Sequence, residues 1–216
     1  MNMNRRDFSA ALVSTGALAT SLLASPPATA QAAVEGKDFT RVDPPQPSRD
    51  PGKVEVLEFF SYACPHCSAF EPSLEGWARQ LPADVVLRRV PVSFLMNAEN
   101  FMRTYYALES TGSVDALQMK IFRAIHVDRL RLEKPEDIAE FVGKNGGDAA
   151  RFMAAFKSFS VATSVTRAKK LMADYRIESV PTIVVSGRFV TSPAQAGGGP
   201  QALAVADQLI QRARKG

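Results

Sequence analysis

The chain has 216 residues, 46% of them apolar and 22% charged, with 13 Gly and 14 Pro, a composition that excludes collagen-like, coiled-coil and largely disordered classes. No run of about 18 or more apolar residues occurs, which excludes a permanent transmembrane helix. The formal charge is +4, but Lys and Arg are scattered among Asp and Glu, so nucleic-acid binding has little support.

The length suits one domain, or one domain carrying an insertion, and the chain begins with an address. Arg5 and Arg6 form a basic start, Ala10–Ala24 is a short apolar stretch, and Ala28-Thr29-Ala30 is a small-residue triplet. That order is the layout of a secretory signal, with cleavage expected after Ala30 and after Ala32 as the alternative. A core helix would need one polar face, and this stretch offers only Ser and Thr. Arg5-Arg6 followed by Asp7-Phe8 also has the look of a twin-arginine signal, although Asn4 stands where Ser or Thr is usual; both export routes stay open. Removing residues 1–30 leaves 24 basic and 21 acidic residues, working outside the cytoplasm where disulfides persist. No cysteine lies near the cleavage site, so no lipid anchor is expected there.

Residues 31–53 are Pro-rich and read as an extended lead-in with a short strand near Phe39–Val42. Val54–Ser61 is a nearly continuous apolar run, the pattern of a strand covered on both faces. A helix is predicted over Pro65–Gln80, with Phe70, Leu74, Trp77 and Ala78 on one stripe. Val85–Val92 is a second strand, and Pro91 near its end marks an edge or an exit. The next stretch holds no strand. Glu99–Ser110, Val114–Val127, Pro135–Lys144 and Asp148–Phe159 each show helical spacing, and Pro135 followed by Glu136 and Asp137 suits a helix start. A longer helix, Val161–Tyr175, leads back to a hairpin of Thr182–Ser186 and Arg188–Thr191 around Ser186-Gly187. After the Gly197–Gly199 loop, Pro200 opens a terminal helix to about Arg214. The triple glycine is read as a flexible turn, since no P-loop Lys-Ser/Thr follows it.

Both cysteines of the chain lie in Cys64-Pro65-His66-Cys67, at a strand-to-helix junction. At a helix N-terminus the free N–H groups and the dipole stabilise a thiolate at Cys64. Cys67, one turn on, is within reach of a disulfide. Pro65 fits the first helical position, where its missing N–H costs nothing, and a protonated His66 adds positive charge. A stabilised thiolate favours the reduced pair and makes the disulfide an oxidant. A structural disulfide of this spacing closes a very small loop and would stabilise little. Zinc needs three or four ligands, and Cys64, Cys67, His66 and His126 are the whole stock of Cys and His. The redox pair is the reading that remains. Farther on, Val180-Pro181 precedes the predicted strand; it is either a plain strand-start proline or a cis bond.

With these elements in view, the chain resembles the DsbA family of periplasmic thiol:disulfide oxidoreductases, through Glu58-Phe59-Phe60-Ser61-Tyr62-Ala63-Cys64-Pro65-His66-Cys67, Phe70-Glu71 and Ser179-Val180-Pro181-Thr182. The resemblance runs over about residues 37–214. It implies a thioredoxin-like α/β fold at residues 31–96 and 176–216, interrupted by an all-helical insertion at 97–175. It implies that Cys64 is the exposed nucleophile, Cys67 its buried partner, and Val180 with a cis Pro181 the facing wall, where Val180's backbone pairs with an extended substrate segment. Glu58 and Glu71 match acidic positions near the active site of family members. Glu58 interrupts an apolar strand, where it either handles a proton while buried, pairs with a basic group, or points to solvent at the strand end. His126 is expected at a helix end without a catalytic role, and Met96, Met102, Met119, Met153 and Met172 are expected to fill core space from helices.

The activity implied is donation of the Cys64–Cys67 disulfide to unfolded or newly exported cysteine-containing proteins, with reoxidation by a quinone-linked membrane oxidase of the DsbB type. No metal or organic cofactor is called for. A disulfide isomerase or reductase on the same fold is the alternative, weakened because residues 31–53 are too short for the dimerisation domain such isomerases carry. A non-catalytic peptide-binding chaperone is the other.

Overall fold

In the computed structural model, which describes residues 31–50 and 52–215, a two-residue strand β1 (Thr40–Arg41) precedes the first long strand, β2 (Val54–Phe60). The expected signal peptide, residues 1–30, lies outside the described residues. Helix α1 (Pro65–Ala78) and strand β3 (Val85–Pro91) follow. Five helices come next without an intervening strand: α2 (Ala98–Thr111), α3 (Val114–His126), α4 (Pro135–Lys144), α5 (Ala149–Phe156) and α6 (Phe159–Asp174). The chain then returns through β4 (Thr182–Val185), β5 (Phe189–Thr191), a short helix α7 (Pro193–Ala196) and α8 (Gly199–Arg214). Residues 32–216 form one compact unit.

The five strands lie in the order β1-β5-β4-β2-β3, with β2 parallel to β3 and every other neighbour pair antiparallel. β3 is an edge, where Pro91 removes no ladder bond from the sheet's centre. All seven residues of β2 are buried, as its nearly continuous apolar run predicts, and Glu55 and Glu58 are buried with the rest. Alternation along the strand then sorts its side chains. Val54 and Val56 join Phe70 and Leu74 of α1, Ile183 and Val185 of β4, and Leu209 and Ile210 of α8 in one core layer. Leu57 and Phe59 face the other side, among residues of α2, α3 and α6, where Phe59 meets Tyr175 edge-on at 5.9 Å. By the same parity Glu58 shares the face of Val56, turned toward α1.

Differences from the sequence reading are local. The helix expected over Asp148–Phe159 ends at Phe156, and α6 starts at Phe159 rather than Val161 because Ser158 caps it, accepting from the Val161 N–H at 3.2 Å. Helix α7 was not expected; Ser192 accepts from the Gln195 N–H and Pro193 takes the first position, so its cue was a Ser-Pro pair. Met96 is a correction: it stands in the connection between β3 and α2 rather than on a helix, and its side chain is 84% exposed beside an open groove while its neighbour Leu95 packs on the core. Met119 is also exposed, whereas Met102 is fully buried. The predicted hairpin is present, with Ser186 and Gly187 both at positive φ. A side chain at Gly187 would also collide, because its Cβ would lie 1.9 Å from the Gln46 carbonyl oxygen.

Candidate active site

The turn between β2 and α1 is pinned by Ser61, whose carbonyl accepts from the Cys64 N–H at 3.0 Å and whose hydroxyl accepts from the Ala63 N–H at 3.1 Å. Cys64 is the N-cap of α1, with extended backbone; its Sγ accepts from the Cys67 N–H at 3.3 Å, and Pro65 occupies the first turn. The two thiols are not bridged. The Cys67 thiol donates to Cys64, and together with the N–H groups of Cys67 and His66 and the charge of His66 it outweighs burial, holding Cys64 down at about 6. Burial, and the hydrogen bond given to Cys64, push the Cys67 thiol far up. One sulfur is thus prepared as a thiolate and the other as a thiol.

Cys67 is fully buried, as the resemblance implies, but Cys64 is only 5% exposed. The expectation of an exposed nucleophile is therefore corrected. The wall that covers it comes from the far end of the chain, where Val180-Pro181 is a cis bond and the Val180 carbonyl oxygen lies 3.6 Å from Cys64 Sγ. Pro65 and His66 remain exposed beside it.

Behind the cysteines lies a charge cluster. Cys67, Glu71 and Glu75 recur every four residues on one stripe of α1. Glu58 of β2 faces that stripe, and Arg89 is its partner across the parallel ladder. Arg89 Nε is 3.1 Å from Glu58 Oε2, its Nη2 is 2.9 Å from Glu71 Oε1, and the same nitrogen contacts Glu75. Glu58 is buried and paired, not at a solvent-facing strand end. Among the described residues neither of its oxygens completes a hydrogen bond of good geometry. Burial, then the neighbouring Glu71, raise its carboxyl well above the usual range against the opposing pull of Arg89. Burial likewise lifts Glu71 to about 7, again opposed by Arg89.

The structure thus brings together Cys64, Pro65, His66, Cys67, Val180 and Pro181 around the β2–α1 turn, with only Pro65 and His66 exposed and with Glu58 and Glu71 buried behind them. The sequence reading passed over Arg89. Its only cue was the need of a buried Glu58 for a cation, and the strand register that supplies one is not written in either strand alone. His126 sits at the end of α3, as expected, yet its Nε2 lies 2.8 Å from the Tyr62 carbonyl in the active-site turn. Beside that turn opens a groove of about 480 Å³ lined by Ala63, Met96, Phe101, Ile125, Leu130 and Leu132. Among the described residues, no group of three or more His, Cys, Asp or Glu side chains is placed to hold a metal ion.

Residues 84–201 match the family described as DSBA-like thioredoxin domain. The chain is 43% identical over 205 residues to the thiol:disulfide interchange protein DsbA of Bordetella parapertussis, covering 94% of this chain and 96% of that one. The corresponding protein of Pseudomonas aeruginosa PAO1 is 37% identical over the same shares. Among solved structures, Pseudomonas aeruginosa DsbA superposes with a TM-score of 0.80 at 37% identity, covering 85% of this chain and 95% of that one. The oxidoreductase DsbA from Xylella fastidiosa gives 0.79 at 29% identity, covering 86% and 100%.

Proposed function

Because the chain belongs to the DsbA family of thiol:disulfide oxidoreductases, we propose that it acts in the periplasm as a disulfide donor to unfolded or newly exported cysteine-containing proteins. The observation that carries this reading is the opposite preparation of the two sulfurs: Cys64 held down at about 6 and Cys67 pushed far up.

A substrate thiolate attacks Sγ of Cys64 in the oxidised pair. The Cys64–Cys67 bond breaks, its electron pair leaves on Cys67, and that sulfur takes up a proton because burial disfavours its charge. A second substrate thiolate then attacks the substrate sulfur of the mixed disulfide. Cys64 leaves as a thiolate onto the N–H groups at the start of α1, the substrate departs with its disulfide, and two electrons remain in the Cys64–Cys67 pair. The leaving group is good because its thiolate is stable. Glu58 and Glu71, carboxyls that hold protons above the usual carboxylate range, supply the proton that Cys67 takes. The backbone at Val180 offers an extended substrate segment a strand to pair with, with His66 and Pro65 on the opposite lip. A membrane oxidase of the DsbB type returns the pair to the disulfide. The export signal at residues 1–30 and the helical insertion at 97–175 belong to the same reading.

A redox titration of residues 31–216 against glutathione tests it. A midpoint between about −120 and −180 mV is expected, and one near about −270 mV would assign the protein to the reductases instead. Replacing both cysteines by Ser separates the chaperone reading, since a holdase would keep its activity and a disulfide donor would lose all of it.

A further inference from the structure

Tyr62, two residues before Cys64, is fully buried and is gripped along its whole length by one helix. Its ring packs on Phe122 with centroids 5.2 Å apart, its hydroxyl donates to Gln118 Oε1, and its carbonyl accepts from His126 Nε2 at 2.8 Å. Gln118, Phe122 and His126 are four residues apart on α3, so a single stripe of that helix supplies all three contacts. A carbonyl has no proton to give, so His126 carries its own on Nε2 in this contact. The aromatic packing, with Phe60 and Phe101 also against the ring, would be served equally by a phenylalanine held anywhere along the groove. The polar contacts at the two ends fix where the Tyr62 backbone lies. That backbone is the middle of the turn in which Ser61 receives the Cys64 N–H.

We propose that His126 is a positioning residue for the redox reaction: through the Tyr62 carbonyl, α3 fixes the turn that presents Cys64 at the start of α1, and thereby sets how strongly the reduced pair is favoured over the disulfide. The inference rests on the disulfide-donor reading and deepens it by making the helices between β3 and β4 a determinant of oxidising strength. His126 moves no proton and touches no reacting atom. Its contribution is geometric, because the N–H groups that stabilise a thiolate act only within the first turn of the helix, and a turn released at Tyr62 lets Cys64 shift relative to them.

The test compares wild type with His126→Leu, His126→Phe and His126→Gln. Leu and Phe remove the donor, Phe keeping a flat ring against Phe122, whereas Gln retains an N–H. Each protein is titrated against glutathione at one pH, and the Cys64 thiolate is followed by its ultraviolet absorbance as pH varies. The donor-less variants should shift the equilibrium constant at least threefold toward the disulfide, about 14 mV more negative, with the thiolate titration moving up, and His126→Gln should lie nearer wild type. If the donor-less variant that folds leaves the constant within twofold of wild type, the inference is overturned, even when its melting temperature falls. A Gln variant as far displaced as Leu overturns it too. A wild-type midpoint near about −270 mV would instead refute the donor reading, and the shift between variants would still be measured against that value.

Discussion

Lowering the pH should erase the stability advantage that the reduced protein draws from its thiolate. Cys64 is held at about 6 in the fold against an ordinary 9.0, so between those values the unfolded reduced chain binds more protons than the folded one. Stability of the reduced form therefore rises with pH through that window, is fully present above about 9, and is lost as pH falls through about 6. Linkage gives about 1.4 kcal/mol at pH 7 and under about 0.1 kcal/mol at pH 5. Solvent screening at the mouth of the site leaves about 1 kcal/mol at pH 7, a factor of about five in the equilibrium. The disulfide form has no such thiolate, so the relevant assay is urea unfolding of both forms at pH 5, 6, 7 and 8, reported as their difference. The difference should move in favour of the reduced form by about 1 kcal/mol between pH 5 and 7, with the thiolate absorbance rising at a midpoint near 6. A difference flat across this range, or a midpoint near the ordinary thiol value, would refute the assignment of Cys64 to the start of α1 as the source of oxidising strength.

Arg89→Met should destabilise the protein in urea unfolding by about 3–5 kcal/mol at pH 8 and by less at pH 6, because Glu71, lifted to about 7, ionises across that range and then lacks its cation; a loss that does not change with pH would refute the pairing. Glu71, lifted to about 7, contributes stability that is present below its ordinary 4.5 and lost as pH rises through about 7, so Glu71→Gln should flatten the pH dependence of unfolding across that window. Leu74→Ala, at a fully buried position between α1 and the sheet, should cost about 2–5 kcal/mol without altering the glutathione midpoint. Cys67→Ser, first loaded at Cys64 with oxidised glutathione, should exchange to a mixed disulfide with a single-cysteine substrate peptide and retain it, detectable by mass spectrometry, since no Cys67 thiolate remains to reverse the exchange.

What could be read from the sequence was local in origin. The strand-to-helix junction at Cys64, the buried run of β2, the Ser186-Gly187 hairpin and the acidic start of α4 each depend on residues a few positions apart, and each is where the pattern put it. Glu58 could be flagged because a carboxylate in an apolar run needs a reason. Its partner Arg89 could not be named, because the pairing depends on the register of β2 against β3. Distance separates two further features. The cover over Cys64 arrives from Val180, 116 residues away, and was legible only through the family resemblance of Ser179-Val180-Pro181-Thr182, while His126 reaches Tyr62 across 64 residues with no motif or periodicity to announce it. Met96 misled because an apolar side chain carries no sign of whether anything packs on it.

The separation of Cys64 from its cover has a consequence for the order in which the molecule assembles. β2, α1 and β3 lie together in sequence and can close early, since short loops cost little entropy to form. The wall at Val180 waits for five helices to fold and for β4 to find β2 across the chain. The reactive sulfurs and their shelter therefore belong to different parts of the chain, and a chain that ended at β3 would carry the dithiol without the residues that cover Cys64.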